Sequence, residues 1–141
     1  MRTSARNALS GVVSQVLTGS VNDEVSLTVG DGVEIVAVIT KHSVEHLGLK
    51  PGIPVTALIK SSFVILAPDT PGLRTSARNH FSGAITELEE GAVNSEVVLD
   101  IGAGKTLTAV ITRESAKELG LAVGGRAAAL VKASHVILAV D

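Results

Sequence analysis

The sequence has 141 residues, of which 45% are hydrophobic and only 1% aromatic, a composition typical of a folded protein of one or two domains. The formal net charge is −2, so no overall positive field attracts nucleic acid or a membrane surface. Cysteine is absent, which excludes disulfides and thiolate metal ligands. Neither a signal peptide nor an apolar run of the roughly 20 residues needed for a membrane helix is recognisable, so we expect a soluble cytoplasmic protein.

The chain is a tandem repeat. The hexapeptide Arg-Thr-Ser-Ala-Arg-Asn at 2–7 returns unchanged at 74–79, and with this offset 33 of 66 aligned positions are identical. Such a period is too long for a solenoid repeat and suits two small domains. We therefore predict a first domain at 1–67, a short proline-stiffened linker at 68–73 and a second domain at 74–141.

The first half of each repeat has the pattern of antiparallel strands. Residues 8–17 predict a strand that bends at Gly11, because glycine inside a strand often marks a bulge. A turn is expected at 21–23, followed by a half-buried strand at 25–29 in which apolar and polar residues alternate. Residues 30–32 then predict a hairpin.

The second half of each repeat adds a short helix. The third strand, 33–39, is apolar on both faces towards its end, so it needs a cover from another subunit or from the other repeat. Thr40 suits an N-cap and Gly48 a C-terminal stop, which predicts a helix over 40–49. Strands at 55–60 and 63–67 complete the repeat. The predicted class is all-β, with one short helix per repeat and two tandem five-stranded antiparallel barrels of the oligonucleotide/oligosaccharide-binding type.

A cluster of hydrogen-bond donors recurs in both copies. The repeated hexapeptide contains two guanidinium groups, two hydroxyls and a carboxamide but no carboxylate, which suits an anion. The first turn of the predicted helix adds unpaired N–H groups and a partial positive charge beside Thr40. The repeated candidates are Ser4 and Arg6 with Ser76 and Arg78, Thr40 with Thr112, and Lys60 with Lys132.

Structural interpretations of the same residues stay open. Thr40 also suits a helix N-cap with no further role, and Lys60 a solvated strand end. Arg6 and Asn7 are compatible with a capped turn held by a surface ion pair. The side chain of Asn79, like that of Asn7, could hold the turn that presents the preceding amides.

Other chemistries lack repeated residues. None of the four histidines faces a histidine in the other copy, so no metal-cation site is expected. Ser4 has no repeated histidine or aspartate as a partner, so a hydrolytic triad is unsupported and no enzymatic activity is expected. The glycine-rich pieces at 30–32 and 102–104 open no helix, so they are hairpins and not dinucleotide-binding loops.

Three segments carry a resemblance to the molybdate-binding Mop domain. They are Thr-Ser-Ala-Arg-Asn before a Ser-Gly strand, Ala-Val-Ile-Thr-x-x-Ser at the helix entry, and Leu-Ile-Lys-Ser-Ser-x-Val-Ile-Leu at the end of the repeat. The match covers nearly the whole chain twice, so the sequence resembles the di-Mop molbindins of the ModG type. This resemblance implies a cytoplasmic, non-catalytic protein that binds molybdate and tungstate for molybdenum storage or homeostasis. It also implies a homotrimer, whose six Mop domains form a ring with oxyanions between domains.

The resemblance also implies a ligand set for each copy. In the first copy it falls on Ser4, Arg6, Thr40, Lys60 and Ser61, and in the second on Ser76, Arg78, Thr112 and Lys132. The candidate oxyanion-binding set also includes Ala5 and Asn7 in the first copy and Ala77, Asn79 and Ala133 in the second. Additional sites near the three-fold axis are assigned to the two helix starts, at His42, Ser43, Glu114 and Ser115.

The two copies are not expected to bind equally. Ser61 opposes Ala133, which removes a hydroxyl from the second copy, and His42 opposes Glu114, whose carboxylate repels a dianion. The first copy should therefore bind more tightly, and acidification towards protonation of His42 should widen the gap. The alternative functions are a nucleic-acid-binding barrel, disfavoured by the scarce aromatics and the acidic charge, and a purely structural or regulatory oligomer.

Overall fold

The computed structural model describes all residues, 1–141, and consists mainly of strands. The first repeat contains β1 (Asn7–Leu17), β2 (Asn22–Gly30), β3 (Val33–Thr40), α1 (Lys41–Leu47), β4 (Pro54–Ile59), a 3-10 turn (Ser61–Phe63) and β5 (Ile65–Ala67). The second contains β6 (Asn79–Glu90), β7 (Asn94–Gly102), β8 (Lys105–Thr112), α2 (Arg113–Glu118), β9 (Arg126–Val131), a 3-10 turn (Ala133–His135) and β10 (Ile137–Ala139). Neither helix is long and apolar enough to cross a membrane.

The strands form two five-stranded antiparallel sheets, in the orders β10-β4-β1-β2-β3 and β5-β9-β6-β7-β8. The predicted all-β class, with one short helix per repeat, is confirmed. The last strand of each repeat, however, lies in the sheet of the other repeat: Ile137 pairs with Leu58, and Ile65 pairs with Leu130. This exchange of final strands was not predicted from the sequence, since Ala57-Leu58 of β4 and Ala129-Leu130 of β9 offer the same partners to the Ile-Leu of either final strand.

One hydrophobic core joins the two sheets. A single cluster of 27 buried apolar residues includes side chains from both repeats, among them Leu27, Ile59, Leu99 and Val131. The other repeat reaches β3 through the 3-10 turn at Ala133–His135 and through β10. The second face of β3 stays only partly covered within one chain, since Glu34 is exposed and Val36 and Val38 are half-buried.

The irregularity in the first strand lies elsewhere than predicted. The register between β1 and β2 shifts between Val13 and Gln15, so the bulged residue is Ser14 and not Gly11. The Ser14 hydroxyl donates to the carbonyl of Ser26 at 3.1 Å, which fixes the extra residue. Gly11 is required for a different reason: a Cβ there would lie 2.3 Å from the carbonyl oxygen of Thr28 on β2.

Two further boundaries differ from the expectation, and one prediction is confirmed. Asn22 and Asp23 belong to β2 and not to a turn, because Asn22 pairs with Thr40 across the sheet. Phe63 lies in the 3-10 turn before β5, where its N–H donates to the carbonyl of Lys60. The predicted helix is confirmed with its caps, since Thr40 accepts from the N–H of Ser43 and Gly48 ends the helix in a left-handed conformation.

Candidate functional site

The repeated hexapeptide forms a tight turn before the first strand of each repeat. The hydroxyl oxygen of Thr3 accepts from the N–H of Ala5 at 3.2 Å, and Thr75 accepts from Ala77 at the same distance. This local bond competes with extended pairing and holds the backbone in a turn. The side chain of Ser4 is therefore exposed next to the sheet.

A cleft of about 420 Å³ brings together most of the predicted ligands of the first copy. One wall is the hexapeptide turn, and the other is the end of β4 with the 3-10 turn that follows it. The lining contains two cationic side chains and three hydroxyls but no carboxylate. The lining residues are Thr3, Ser4, Ala5, Arg6, Leu58, Lys60, Ser61 and Ile137.

The ammonium group of Lys60 is held at this cleft by an aromatic ring. Its Nζ lies 5.4 Å from the centroid of the Phe63 ring, a cation–π distance. The Phe63 ring in turn packs on His135 with centroids 4.5 Å apart. Phe63 and His135 occupy equivalent positions in the two repeats, so the two 3-10 turns meet each other at this contact.

Each arginine of the hexapeptides is paired with a glutamate of the other repeat. The Arg6 guanidinium donates through both terminal nitrogens to the carboxylate of Glu96, one bond being 2.8 Å long. Arg78 makes the same two-bond contact with Glu24, at 2.5 and 2.8 Å. Hydrogen bonding to Arg6 lowers the pKa of Glu96, and the same pair raises the pKa of Arg6. The surface ion pair, which was one of the alternative interpretations of Arg6, is therefore present in the structure.

The two hexapeptide asparagines are buried and bonded across the repeats. The side chain of Asn7 donates to the carbonyl of Thr108 at 2.8 Å and accepts from its N–H at 2.7 Å. Asn79 makes the equivalent pair of bonds to Val36, both at 2.8 Å. Each carboxamide thus imitates one residue of a neighbouring strand along β8 or β3. All three side-chain bonds of Asn7, including one to the carbonyl of Ile59, are directed at backbone and not at the cleft.

The helix starts lie outside this cleft. Thr40 caps α1 by accepting from the N–H of Ser43 and donating to its hydroxyl, and Thr112 does the same with Ser115. Thr112 lines separate clefts, one of which also contains Ser62 and Ser115 and another Glu114. His42 stacks on His46 with ring centroids 6.2 Å apart. The structure therefore does not bring Thr40 or His42 together with Ser4, Arg6 and Lys60.

The second copy repeats the scaffold with a different lining. Lys132 again precedes a 3-10 turn, but Ala133 is only 4% exposed and stands where Ser61 offers a hydroxyl. His135 takes the place of the phenyl ring beside Lys60. The equivalent surface in the second copy thus has a methyl group in place of a hydroxyl and an imidazole in place of a phenyl ring.

A larger cleft, of about 470 Å³, lies between β1, β4, β10 and the end of α1. It contains no lysine, arginine or histidine, and Asp141 contributes a carboxylate. A third cleft, at the start of α2, is larger still at about 540 Å³ and is lined by Arg113 and Lys117 as well as by Glu114. Volume therefore does not select the site, and the charge of the cleft that contains Asp141 is unsuited to an anion. The smaller cleft at Arg6 and Lys60 is the better candidate.

Two kinds of residue at the site were missed from the sequence. Ile137 reaches the cleft only because the final strands are exchanged. Glu24 and Glu96 could have been found, since they are 72 residues apart and are the only acidic pair identical in the aligned range. The repeated hexapeptide contains no carboxylate, but the folded site has one bonded to each arginine.

Comparison with known proteins places these features in a family. The TOBE domain family matches residues 3–66 and again 75–138. The molybdenum-pterin-binding protein MopA of Rhodobacter capsulatus is 52% identical over 139 residues, which are 99% of this chain and 52% of that protein. The molybdenum transport protein ModE of Azotobacter vinelandii is 46% identical over 140 residues, again 99% of this chain and 52% of that protein. The chain thus spans about half the length of these curated relatives.

A solved structure matches the chain over its whole length. The cytoplasmic molybdate-binding protein ModG, crystallised with molybdate bound, is 43% identical and superposes with a TM-score of 0.95, covering 100% of both chains. At this similarity the arrangement of two sheets is shared in full.

Proposed function

This chain belongs to the TOBE domain family as a tandem Mop protein of the di-Mop molbindin type, and we propose that it binds molybdate and tungstate without catalysing a reaction. The observation that carries the proposal is the cleft in which Arg6 and Lys60 meet the hydroxyls of Ser4 and Ser61. Charge-assisted hydrogen bonds from these groups suit a compact tetrahedral dianion. The relatives named for molybdenum and molybdate support this ligand class.

The proposed first site consists of Ser4, Arg6, Lys60 and Ser61, with the backbone of Ala5 closing the turn. The second site consists of Ser76, Arg78 and Lys132 with the backbone of Ala77 and Ala133. The asparagines hold each turn against the other repeat, and Thr112 at the start of α2 contributes to separate clefts. Axial sites at His42, Ser43, Glu114 and Ser115 stay a proposal that depends on the assembly.

We further propose that the chain assembles as a homotrimer in the cytoplasm and stores or buffers molybdenum. Ile137 and Ile65 are 64% and 63% exposed. Each lies on the outward-facing side of a short strand, next to a leucine that is buried. Large apolar side chains at equivalent places in both repeats suit a contact with further copies. Because Ile137 also lines the first cleft, such a contact would enclose the bound anion.

Calorimetry on the full chain tests the proposal. Molybdate and tungstate are expected to bind, while phosphate binds poorly: the side chains that line the cleft include no carboxylate to accept the proton of hydrogen phosphate, and the nearby carboxylate of Glu96 is already engaged by Arg6. Arg6→Ala should weaken binding at the first site by about 1.5–3 kcal/mol, the range for a hydrogen bond to a charged group. Equal affinity for phosphate and molybdate, or tight binding of a mixed oligonucleotide in place of molybdate, would contradict the proposal. Light scattering that shows a monomer at micromolar concentration would contradict the trimer alone.

A further inference from the structure

The guanidinium groups at the two proposed sites already bind an anion that belongs to the protein. Arg6 and Glu96 belong to different repeats, and so do Arg78 and Glu24, so the contact occurs twice with one geometry. The side chains of the two glutamates are 29% and 23% exposed, whereas those of the arginines are both 52% exposed. The carboxylates therefore occupy the inner side of each pair.

An oxyanion can bind only to the N–H groups of Arg6 that Glu96 leaves free. A guanidinium has five N–H groups in a planar fork, and the two-bond contact with Glu96 engages one on each terminal nitrogen. Its Nε–H and the two outer N–H groups stay available, so a ligand can reach Arg6 without breaking the pair. Such a ligand would still meet an arginine whose charge is offset by Glu96, with Glu89 adding to the negative field around it.

We propose that Glu96 and Glu24 are specificity-determining residues, internal anions that lower the affinity of the first and second sites for dianions. This inference rests on the proposed function. The carboxylates act through the arginines and the local field, and not by contacting the ligand. Their effect grows with ligand charge, since Coulomb repulsion is proportional to the product of the charges. Lys60 and Lys132 then supply the net positive charge of each site.

The test compares two tetrahedral oxyanions of similar shape and different charge, molybdate as a dianion and perrhenate as a monoanion. Glu96→Gln should tighten molybdate binding at the first site roughly three- to tenfold, as expected for one carboxylate several ångströms away in a high dielectric. The gain for perrhenate should be about the square root of that factor. Raising the chloride concentration should shrink both gains, because exposed charges are screened.

The matched control is Asp31→Asn, which removes the same formal charge at the β2–β3 hairpin, where Asp31 makes no ion pair. It should leave both affinities unchanged. Glu24→Gln is an independent variant that tests the second site if Glu96→Gln does not fold. A purely structural role for the glutamates would instead loosen the arginines when the carboxylate is removed, and would weaken the binding of both anions.

The proposal is overturned if Glu96→Gln and Glu24→Gln leave molybdate affinity unchanged, weaken it, or shift molybdate and perrhenate equally. Under those outcomes the wild type still binds molybdate, so the proposed function stands. A wild type that binds neither anion contradicts the proposed function as well, and the two failures are therefore distinguishable.

Discussion

The two repeats share the contacts that join them and differ in the contacts that face a ligand. The threonine-capped turns, the buried asparagines and the arginine–glutamate pairs have nearly the same distances in both copies. At the candidate site, by contrast, Ser61 is replaced by Ala133, and Phe63 by His135. The duplicated chain has thus kept its inter-repeat connections symmetric, while its two binding surfaces have become different.

The largest effect is expected at the shared connections. Asn7→Ala would leave the N–H and the carbonyl of Thr108 without the partners they have now, and each unsatisfied buried group costs about 1–3 kcal/mol. Asn79→Ala would do the same to Val36. We expect each variant to lower the free energy of unfolding by about 2–4 kcal/mol, and by equal amounts because the bonds are equivalent. Urea unfolding measures both, and a variant within 1 kcal/mol of wild type, on the scale of one ordinary hydrogen bond, would contradict the proposed strand imitation.

The next largest effect is expected on ligand affinity, and it should differ between the two sites. Lys60→Ala should weaken oxyanion binding at the first site by about 1.5–3 kcal/mol, because a charge-assisted partner is lost. Lys132→Ala should do so only at the second site. Calorimetry with molybdate should therefore show the tighter class of sites removed by the first variant and the weaker class by the second. If either lysine variant abolishes both classes, the two copies are not separate sites.

A smaller effect comes from the one hydroxyl that differs. Ser61→Ala should weaken the first site by about 0.5–1.5 kcal/mol, the value of a neutral hydrogen bond, and make it resemble the second. The reverse change, Ala133→Ser, should not strengthen the second site, because residue 133 is only 4% exposed and an added hydroxyl would be enclosed. The pair of variants is measured by titration with molybdate. A gain from Ala133→Ser would show that its side chain reaches the ligand.

The sequence predicted the elements well because they depend on local patterns. Alternation of apolar residues located the strands, and Thr40 with Gly48 located the helix, since capping is a property of a few adjacent residues. The bulge at Ser14 was not predicted. Gly11 was predicted as a bend, but glycine in a strand also permits a close approach, and only the position of Thr28 shows that this is required here. The strand exchange could not be predicted, since β5 and β10 carry the same Ile-Leu-Ala sequence and fit either sheet.

The candidate site was predictable to the extent that it consists of repeated donors. Repetition of Ser4, Arg6 and Lys60 was enough to nominate them, and the cleft contains all three. Repetition did not distinguish a ligand contact from a structural one, because a tandem fold repeats both. Thr40 repeats as a helix cap, and the side chain of Asn7 is occupied by the backbone of the other repeat.

Acid should weaken the arginine–glutamate connection before it unfolds the core. The pKa of Glu96 is lowered mainly by its hydrogen bond to Arg6, so the pair adds stability above the ordinary carboxyl pKa of about 4.3. That contribution is lost as the pH falls through the lower folded-state pKa. Wild type should therefore lose more stability between neutral pH and about pH 3 than Glu96→Gln does. Urea unfolding at the two pH values measures how the free energy of unfolding depends on pH. Equal losses of stability in wild type and Glu96→Gln would show that the Arg6–Glu96 pair does not cause this dependence.

The smallest expected effect concerns the hairpins, where the repeats differ in backbone conformation. Ala103 has φ 54° and is the only residue other than glycine with positive φ, between Gly102 at 97° and Gly104 at 72°. In the first repeat the aligned residue, Asp31, has no positive φ, so the strain occurs in the second hairpin alone. The side chain of Asp100 stabilises this conformation by accepting from the N–H of Gly102 at 2.9 Å.

A left-handed conformation costs an L-residue about 1–2 kcal/mol. Replacement of alanine by glycine lowers the free energy of unfolding by roughly 0.4–1 kcal/mol, because the unfolded chain gains conformational freedom. Ala103→Gly should therefore raise the free energy of unfolding by about 0.5–1 kcal/mol. The matched variant Asp31→Gly, at an unstrained position, should lower it by a similar amount. Thermal and urea unfolding of both variants measure the difference. If both glycine variants are destabilised equally, the second hairpin is no more strained than the first, and the repeats differ only at the ligand-facing surface.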